Sequence, residues 1–323
     1  MARIIRRIAL GLVGLVAVLG AVGWAAVELR WKRTFDAPYP ALQASTDAAV
    51  VERGRRLVYG PAACAYCHVP RGEWPRLDAG ETLALTGAHE FPLPFGRIYS
   101  ANLTPDAETG IGRRSDGELA RILRHGVRAD GRAAIPLMEF QGMSDEDLVA
   151  VISYLRARPA VRNPVPEHRL NLLGKALMAF AIAPDPTAAR PPARSPVEAP
   201  TVERGAYLVR NVASCGGCHS ERGRADGAIL SGGEPMEAAL DSGHLYVPPN
   251  LTPDPETGHI VGWSEEAFLA RFRAGAAFAD GLMPWSAYGR LSDDDLRAIY
   301  RYLRSLPPIR HATGPPVVER GRG

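Results

Sequence analysis

The sequence predicts an all-α protein built as two tandem domains behind an N-terminal membrane helix. Three observations carry that prediction: a long apolar run near the N-terminus, an internal duplication, and helix-start signals without any sustained alternating pattern.

The apolar run comes first. Ile8 to Val27 is a stretch of 20 residues with no charged side chain, preceded by Arg3, Arg6 and Arg7 and followed by Arg30, Lys32 and Arg33. Twenty residues suffice to cross a hydrocarbon core of about 30 Å. A cleaved signal peptide ending near Ala21 and Gly23 is the alternative. Its apolar region usually runs only ~7–15 residues, so the length favours a retained anchor over residues 1–33. The flanking charges are nearly balanced and do not orient the helix by themselves.

The duplication organises the rest. Val51-Glu52-Arg53-Gly54 recurs as Val202-Glu203-Arg204-Gly205, and Cys64-Ala65-Tyr66-Cys67-His68 recurs as Cys215-Gly216-Gly217-Cys218-His219. Asn102-Leu103-Thr104-Pro105-Asp106 recurs from Asn250 to Asp254, and Ser144 to Leu148 recurs from Ser292 to Leu296. Four blocks in one order mean a repeated unit, expected over 45–162 and again over 201–310. Within each unit, Ser144 with Asp147 and Ser292 with Asp295 read as helix starts. Ser115 with Glu118 reads as a capping box for a helix from Leu119 onward. Pro159 and Pro307 stop the last helices.

Between the units, residues 163–200 are rich in proline (Pro164, Pro166, Pro184, Pro186, Pro191, Pro192, Pro196, Pro200) and read as a stiff linker. Inside it, Leu170 to Ile182 is apolar but too short to span a bilayer; it is expected to form a short helix packed on one or both domains, the alternative being a membrane-surface helix, against which its sparse polar face speaks. Residues 311–323 form a tail.

Composition narrows the function. The net charge of +3, with dispersed arginines, excludes the concentrated basic surface that nucleic acid requires. The four cysteines all fall in the two C-x-x-C-H motifs, which is poor usage for a disulfide scaffold in 323 residues. C-x-x-C-H is the attachment signature of c-type haem: two sulfurs one helical turn apart form thioethers, and the adjacent histidine reaches the iron. A zinc knuckle would need further ligands at set spacing, which the sequence lacks. The expected cofactors are therefore two covalently attached c-type haems, on Cys64, Cys67 and His68 and on Cys215, Cys218 and His219.

A methionine as the second axial ligand closes the iron and raises its potential, as suits an electron carrier. In the second repeat that residue is Met283, in Gly-Leu-Met-Pro shortly before the last helix, with Met236 as rival. A gapless match places Ile135 opposite Met283, so the first repeat needs a small loop difference to offer Met138. Its neighbour Met143 sits directly before the expected N-cap Ser144 and reads as a hydrophobic staple. His89, His125, His244 and His259 are weaker candidates. The repeated Asn-Leu-Thr-Pro-Asp loops offer donors suited to a haem propionate, or form plain Asx turns.

These motifs resemble the bacterial multi-haem cytochrome c family that includes the cytochrome subunits of membrane-bound alcohol and gluconate dehydrogenases. The resemblance runs from about Val51 to Pro308 and covers C-x-x-C-H, Asn-Leu-Thr-Pro-Asp, Thr-Gly, Gly-Leu-Met-Pro and the Ser-Asp-x-Asp-Leu helix starts. It implies two tandem class I cytochrome c domains, with Met283 and, less directly, Met138 as axial ligands. Those subunits carry three haems, whereas this chain has two motifs. The apolar run implies single-pass anchoring, and because c-type haem is attached outside the cytoplasmic membrane the haem domains are expected in the periplasm. Electrons would pass from a dehydrogenase or quinol-oxidising partner toward a terminal oxidase or small cytochrome. The alternative is a di-haem enzyme, a peroxidase or sulfur-compound dehydrogenase, with one open haem.

Overall fold

A computed structural model describes residues 2–184, 191–221, 229–237, 243–278 and 281–320. The N-terminal run forms one helix, α1 (Ala2–Arg30), whose apolar span has a mean hydropathy of 2.3 and no buried residue in its most apolar stretch. It is long and apolar enough to cross a membrane.

In the first repeat, α2 (Ala48–Tyr59) is capped by Asp47, and α3 (Cys64–His68) carries the first motif and is followed by α4 (Trp74–Asp78). A hairpin of β1 (Glu90–Leu93) and β2 (Gly96–Tyr99) comes next, then α5 (Asp116–His125) and α6 (Asp145–Arg156). The capping box at Ser115 and Glu118 is present, and Ser144 accepts from the Asp147 amide as an N-cap.

The intervening segment contributes β3 (Arg169–Leu170) and α7 (Leu172–Ala176), which continues as a π-helical turn over Leu177–Ala181. Farther on it lies along the first repeat, where the Pro192 and Ala193 carbonyls accept from the Asp145 and Glu146 amides. It is therefore packed rather than a free spacer. Pro186 falls outside the described residues.

The second repeat has α8 (Val202–Tyr207), running on as a π turn over Leu208–Val212, then α9 (Gly216–His219), β4 (Met236–Glu237) and β5 (His244–Tyr246). It ends with α10 (Glu265–Arg273), α11 (Trp285–Tyr288) and α12 (Asp293–Arg304), and β6 (Val317–Glu319) lies in the tail.

The all-α expectation is corrected by two antiparallel three-stranded sheets among the described residues, β1-β2-β3 and β4-β5-β6. Their strands run two to four residues, too short for a legible period of two, and β1 contains Pro92. The third strand of each comes from far along the chain, Arg97 pairing with Arg169 and Leu245 with Val318. Local pattern cannot reveal such pairings.

Two of the repeated blocks turn out to be the halves of one contact. Helix α2 crosses α6, and α8 crosses α12. At each crossing the arginine of the Val-Glu-Arg-Gly block meets the aspartate of the final helix: Arg53 Nε lies 2.7 Å from Asp147 Oδ1, and Arg204 Nε 2.7 Å from Asp295 Oδ1. The next residue must be glycine, because a Cβ on Gly54 would overlap the Ala150 carbonyl oxygen and one on Gly205 that of Ala298. The repeats also share one apolar core, in which Tyr59, Leu148 and Tyr154 are continuous with Tyr207, Tyr288 and Leu296. The Tyr207 hydroxyl donates to Asp147 Oδ2 at 2.5 Å and ties the second repeat to the first.

Candidate functional site

Each C-x-x-C-H motif folds as a single short helical turn entered by a residue in the left-handed region, Ala63 (φ 47°) and Ser214 (φ 47°). Neither is glycine or asparagine, so this conformation costs of order 1–3 kcal/mol and persists only because the surroundings impose it. It occurs at the same place in both motifs.

No disulfide joins the four cysteines. Burial pushes the Cys64 and Cys215 thiols up to about 12 and Cys67 up to about 11. A redox-active C-x-x-C pair depends on a lowered thiol pKa, so these environments run against that reading and suit sulfurs destined for neutral thioethers.

The histidines are placed alike. His68 and His219 are 9% and 8% exposed, and burial lowers the pKa of both, which keeps each imidazole neutral. His68 Nδ1 lies 2.8 Å from the Ala101 carbonyl oxygen and His219 Nδ1 3.0 Å from that of Pro249. A carbonyl only accepts, so Nδ1 carries the proton and the Nε2 lone pair is left for a metal. Ala101 and Pro249 each directly precede an Asn-Leu-Thr-Pro-Asp loop, which explains why that block recurs.

The Asn and Asp side chains of these loops act as internal clamps. Asn102 and Asn250 are 2% and 0% exposed and spend their side chains internally. Asn102 Nδ2 donates to the Val161 carbonyl at 2.9 Å and Asn250 Nδ2 to that of Ile309 at 2.8 Å, pinning the chain beyond α6 and α12. Asp106 and Asp254 close the turns by accepting from the Thr109 and Thr257 hydroxyls, both at 2.7 Å. The carbonyl preceding each loop is thereby held in place for the histidine.

Among the candidate methionines, Met143 is fully buried in the core, as a staple before Ser144 requires. Met138 is half-buried in the loop between α5 and α6, and Met283 is half-buried against the shared core just before α11. Met236 is held in β4, opposite Tyr246. His125 ends α5 and His244 lies exposed in β5. His89 and His259 come near the two motif histidines: His68 contributes to the lowered pKa of His89, and His259 to that of His219, in both cases after burial.

Trp74, which sequence reasoning did not single out, joins the candidate His89 at the site. In the first repeat, His89 stacks on Trp74 with ring centroids 5.4 Å apart, and His89 Nδ1 and Trp74 Nε1 are buried without a hydrogen-bond partner. Orphaned buried donors beside His68 fit a cofactor that brings its own acceptors, as the carboxylates of haem do.

Helix α11 links the two motifs. On one side, Ser286 and Tyr66 both hydrogen-bond to Asp78 Oδ1, and Arg290 donates to the Leu77 carbonyl. On the other, the Tyr288 hydroxyl donates to the Ala213 carbonyl at 3.0 Å, two residues before Cys215. The Tyr288 phenol is raised by burial and then by Cys215, Cys218 and Cys67. The first repeat reciprocates, since Ser214 donates to the Glu139 carbonyl at 2.9 Å, next to Met138. No local sequence signal announces these contacts.

Comparison with known proteins agrees with the geometry. Residues 202–307 match the cytochrome c family. The chain is 33% identical to the cytochrome c subunit of a quinone alcohol dehydrogenase from Gluconacetobacter polyoxogenes, over 88% of this chain and 64% of that protein. It is 32% identical to a gluconate 2-dehydrogenase cytochrome c subunit from Pantoea cypripedii, over 80% of this chain and 60% of that protein. It is 28% identical to a diheme cytochrome c-type protein from Cereibacter sphaeroides, over 80% and 86% of the two chains. The chain thus spans somewhat less than two thirds of the dehydrogenase subunits it resembles. A cytochrome c domain carries covalently bound c-type haem and serves electron transfer. This chain carries a cytochrome c domain and is similar to the cytochrome c subunits of alcohol and gluconate dehydrogenases.

Proposed function

We propose that the chain is a membrane-anchored di-haem electron carrier, with one haem on Cys64, Cys67 and His68 and the other on Cys215, Cys218 and His219. Each repeat, over 45–162 and 201–310, is then a cytochrome c domain. The observation that carries the reading is the repeated histidine geometry: two buried imidazoles, each with Nδ1 tied to a backbone carbonyl, which leaves the Nε2 lone pair available to a metal.

Bound haem supplies a one-electron iron couple. The protein's part is to hold that couple. His68 and His219 orient through Ala101 and Pro249, and the hydrogen bond at Nδ1 raises the basicity of Nε2. Met138 and Met283 would hold the irons through sulfur, a soft donor that would favour the reduced state. Met283 packs against the apolar core, which would limit water there and raise the potential further. Through Tyr288, Ser286 and Arg290, α11 keeps the two motifs at fixed separation, which supports electron passage from one haem to the other within the chain.

Helix α1 spans the membrane once, with the haem-bearing body on the periplasmic side, because c-type haem is attached there. The donor is a dehydrogenase or quinol-oxidising partner, as the names of the relatives suggest, and the acceptor a terminal oxidase or small cytochrome. Intact mass after denaturation tests the core of this reading: the chain should weigh more by two haems, and the double change Cys64→Ala with Cys67→Ala should remove one. A protein with a single haem would refute it. Carbon monoxide uptake by the unmodified reduced protein would replace the carrier with an open-haem enzyme.

A further inference from the structure

Helix α7 and the π turn after it are apolar on both sides. Gly174, Met178 and Ala179 are buried, while Leu172, Leu173 and Phe180 point outward at 56%, 54% and 56% exposure. A helix that is apolar all round is stable only where every face is covered.

The inner face is covered by this chain. The Asn171 side chain donates to the Pro94 carbonyl at 2.9 Å, which fixes the helix start on the β1-β2 hairpin. Lys175 Nζ lies 2.6 Å from Glu28 Oε1 and 5.2 Å from the Trp31 ring centroid. The Arg30 guanidinium stands 5.5 Å over the Phe180 ring, and Arg33 donates to the Ile182 carbonyl at 3.0 Å. These polar and cation–π contacts with the N-terminal segment fall on Glu28 to Arg33, immediately beyond the apolar run Ile8–Val27, whose last residue, Val27, is itself buried. The outward leucines and Phe180 lie at the level where α1 leaves its apolar stretch. Leu29, 85% exposed, is next along the helix, followed by the cations Arg30, Lys32 and Arg33 and by Trp31, with Trp24 about two turns deeper in the apolar run. Tryptophans and cations mark the boundary of a bilayer, where an indole or guanidinium reaches the headgroups while apolar neighbours meet acyl chains.

We infer that α7 and its π turn rest on the bilayer surface, with Leu172, Leu173 and Phe180 set into the headgroup boundary and Arg30, Lys32 and Arg33 facing anionic headgroups. The helix then acts as a second foot beside α1 and holds the haem-bearing body at a fixed height and tilt. An ordinary interfacial helix needs a polar face toward water, and this one has almost none. The missing polar face is accounted for because that side lies against α1 and the hairpin instead. The inference rests on the reading of α1 as a membrane span.

The test uses the full haem-loaded chain in vesicles of phosphatidylethanolamine and phosphatidylglycerol, carrying one spin label at a time. Labels enter at Leu173→Cys and Phe180→Cys, with Val16→Cys inside α1 and Val197→Cys on the exposed connecting segment as references. Collision with oxygen, which favours lipid, is compared with collision with a water-soluble nickel chelate. Labels at 173 and 180 are expected to favour oxygen several-fold over the label at 197, approaching the label at 16. If 173 and 180 behave like 197 while 16 reports lipid, the second foot is refuted and the anchor stands. If 16 reports water as well, the anchor reading falls and this inference falls with it.

Discussion

Replacing Met138 and Met143 in turn separates a ligand from a core residue, because the structure puts the two in different environments. Met143 is 2% exposed, within the core and directly before the N-cap of α6. Truncating a fully buried methionine to alanine costs about 2–5 kcal/mol in lost transfer energy and cavity. At about 2–4 °C per kcal/mol for a body as large as two repeats sharing one core, Met143→Ala should lower the unfolding midpoint by roughly 4–20 °C. It should leave both haems closed to carbon monoxide. Met138 has no such burial, and its loss acts at the iron: Met138→Ala should lower the potential of one haem and make it carbon-monoxide-reactive when reduced. Met283→Ala should do the same to the other haem. The assay pairs a reduced-plus-carbon-monoxide difference spectrum with a thermal melt of each variant. A carbon-monoxide-reactive Met143→Ala beside an unreactive Met138→Ala would overturn the assignment of the first-repeat ligand.

Two further outcomes follow from the helix crossings. Gly205→Ala introduces a methyl group against the Ala298 carbonyl and should destabilise the second repeat by about 1–3 kcal/mol or more, seen as a lower denaturant midpoint at unchanged slope; an unchanged midpoint would mean the crossing is looser than described. Arg204→Met leaves the Asp295 carboxylate, 12% exposed, without its guanidinium and should cost about 3–5 kcal/mol. Adding Asp295→Leu to Arg204→Met should recover most of that loss, and a double variant no better than the single would show that the pair is not the source.

The sequence alone determined the chemistry. C-x-x-C-H is a local pattern whose spacing places two sulfurs and an imidazole on one turn, so the attachment residues were legible without tertiary information. The Ser144, Ser292 and Ser115 helix starts were legible for the same reason, the apolar length of α1 from one continuous run, and the duplication because each short block recurs intact 148 or 151 residues later. The tertiary structure decided what depends on distant partners. The strands of two to four residues exist because the chain beyond the last helix of each repeat returns to pair with them, so no local alternation preceded them. Asn102 and Asn250 proved to be clamps because their partners, Val161 and Ile309, lie 59 residues away in each case. His68 and His219 acquired their tautomer from carbonyls 33 and 30 residues downstream. Helix α11, with Tyr288, came to link the two motifs only once the chain folded, since a four-residue helix carries no signal of its own. Covalent attachment is written in short-range spacing, whereas ligand orientation, the separation of the two motifs and the seating of α7 on the end of α1 arise only once the chain packs.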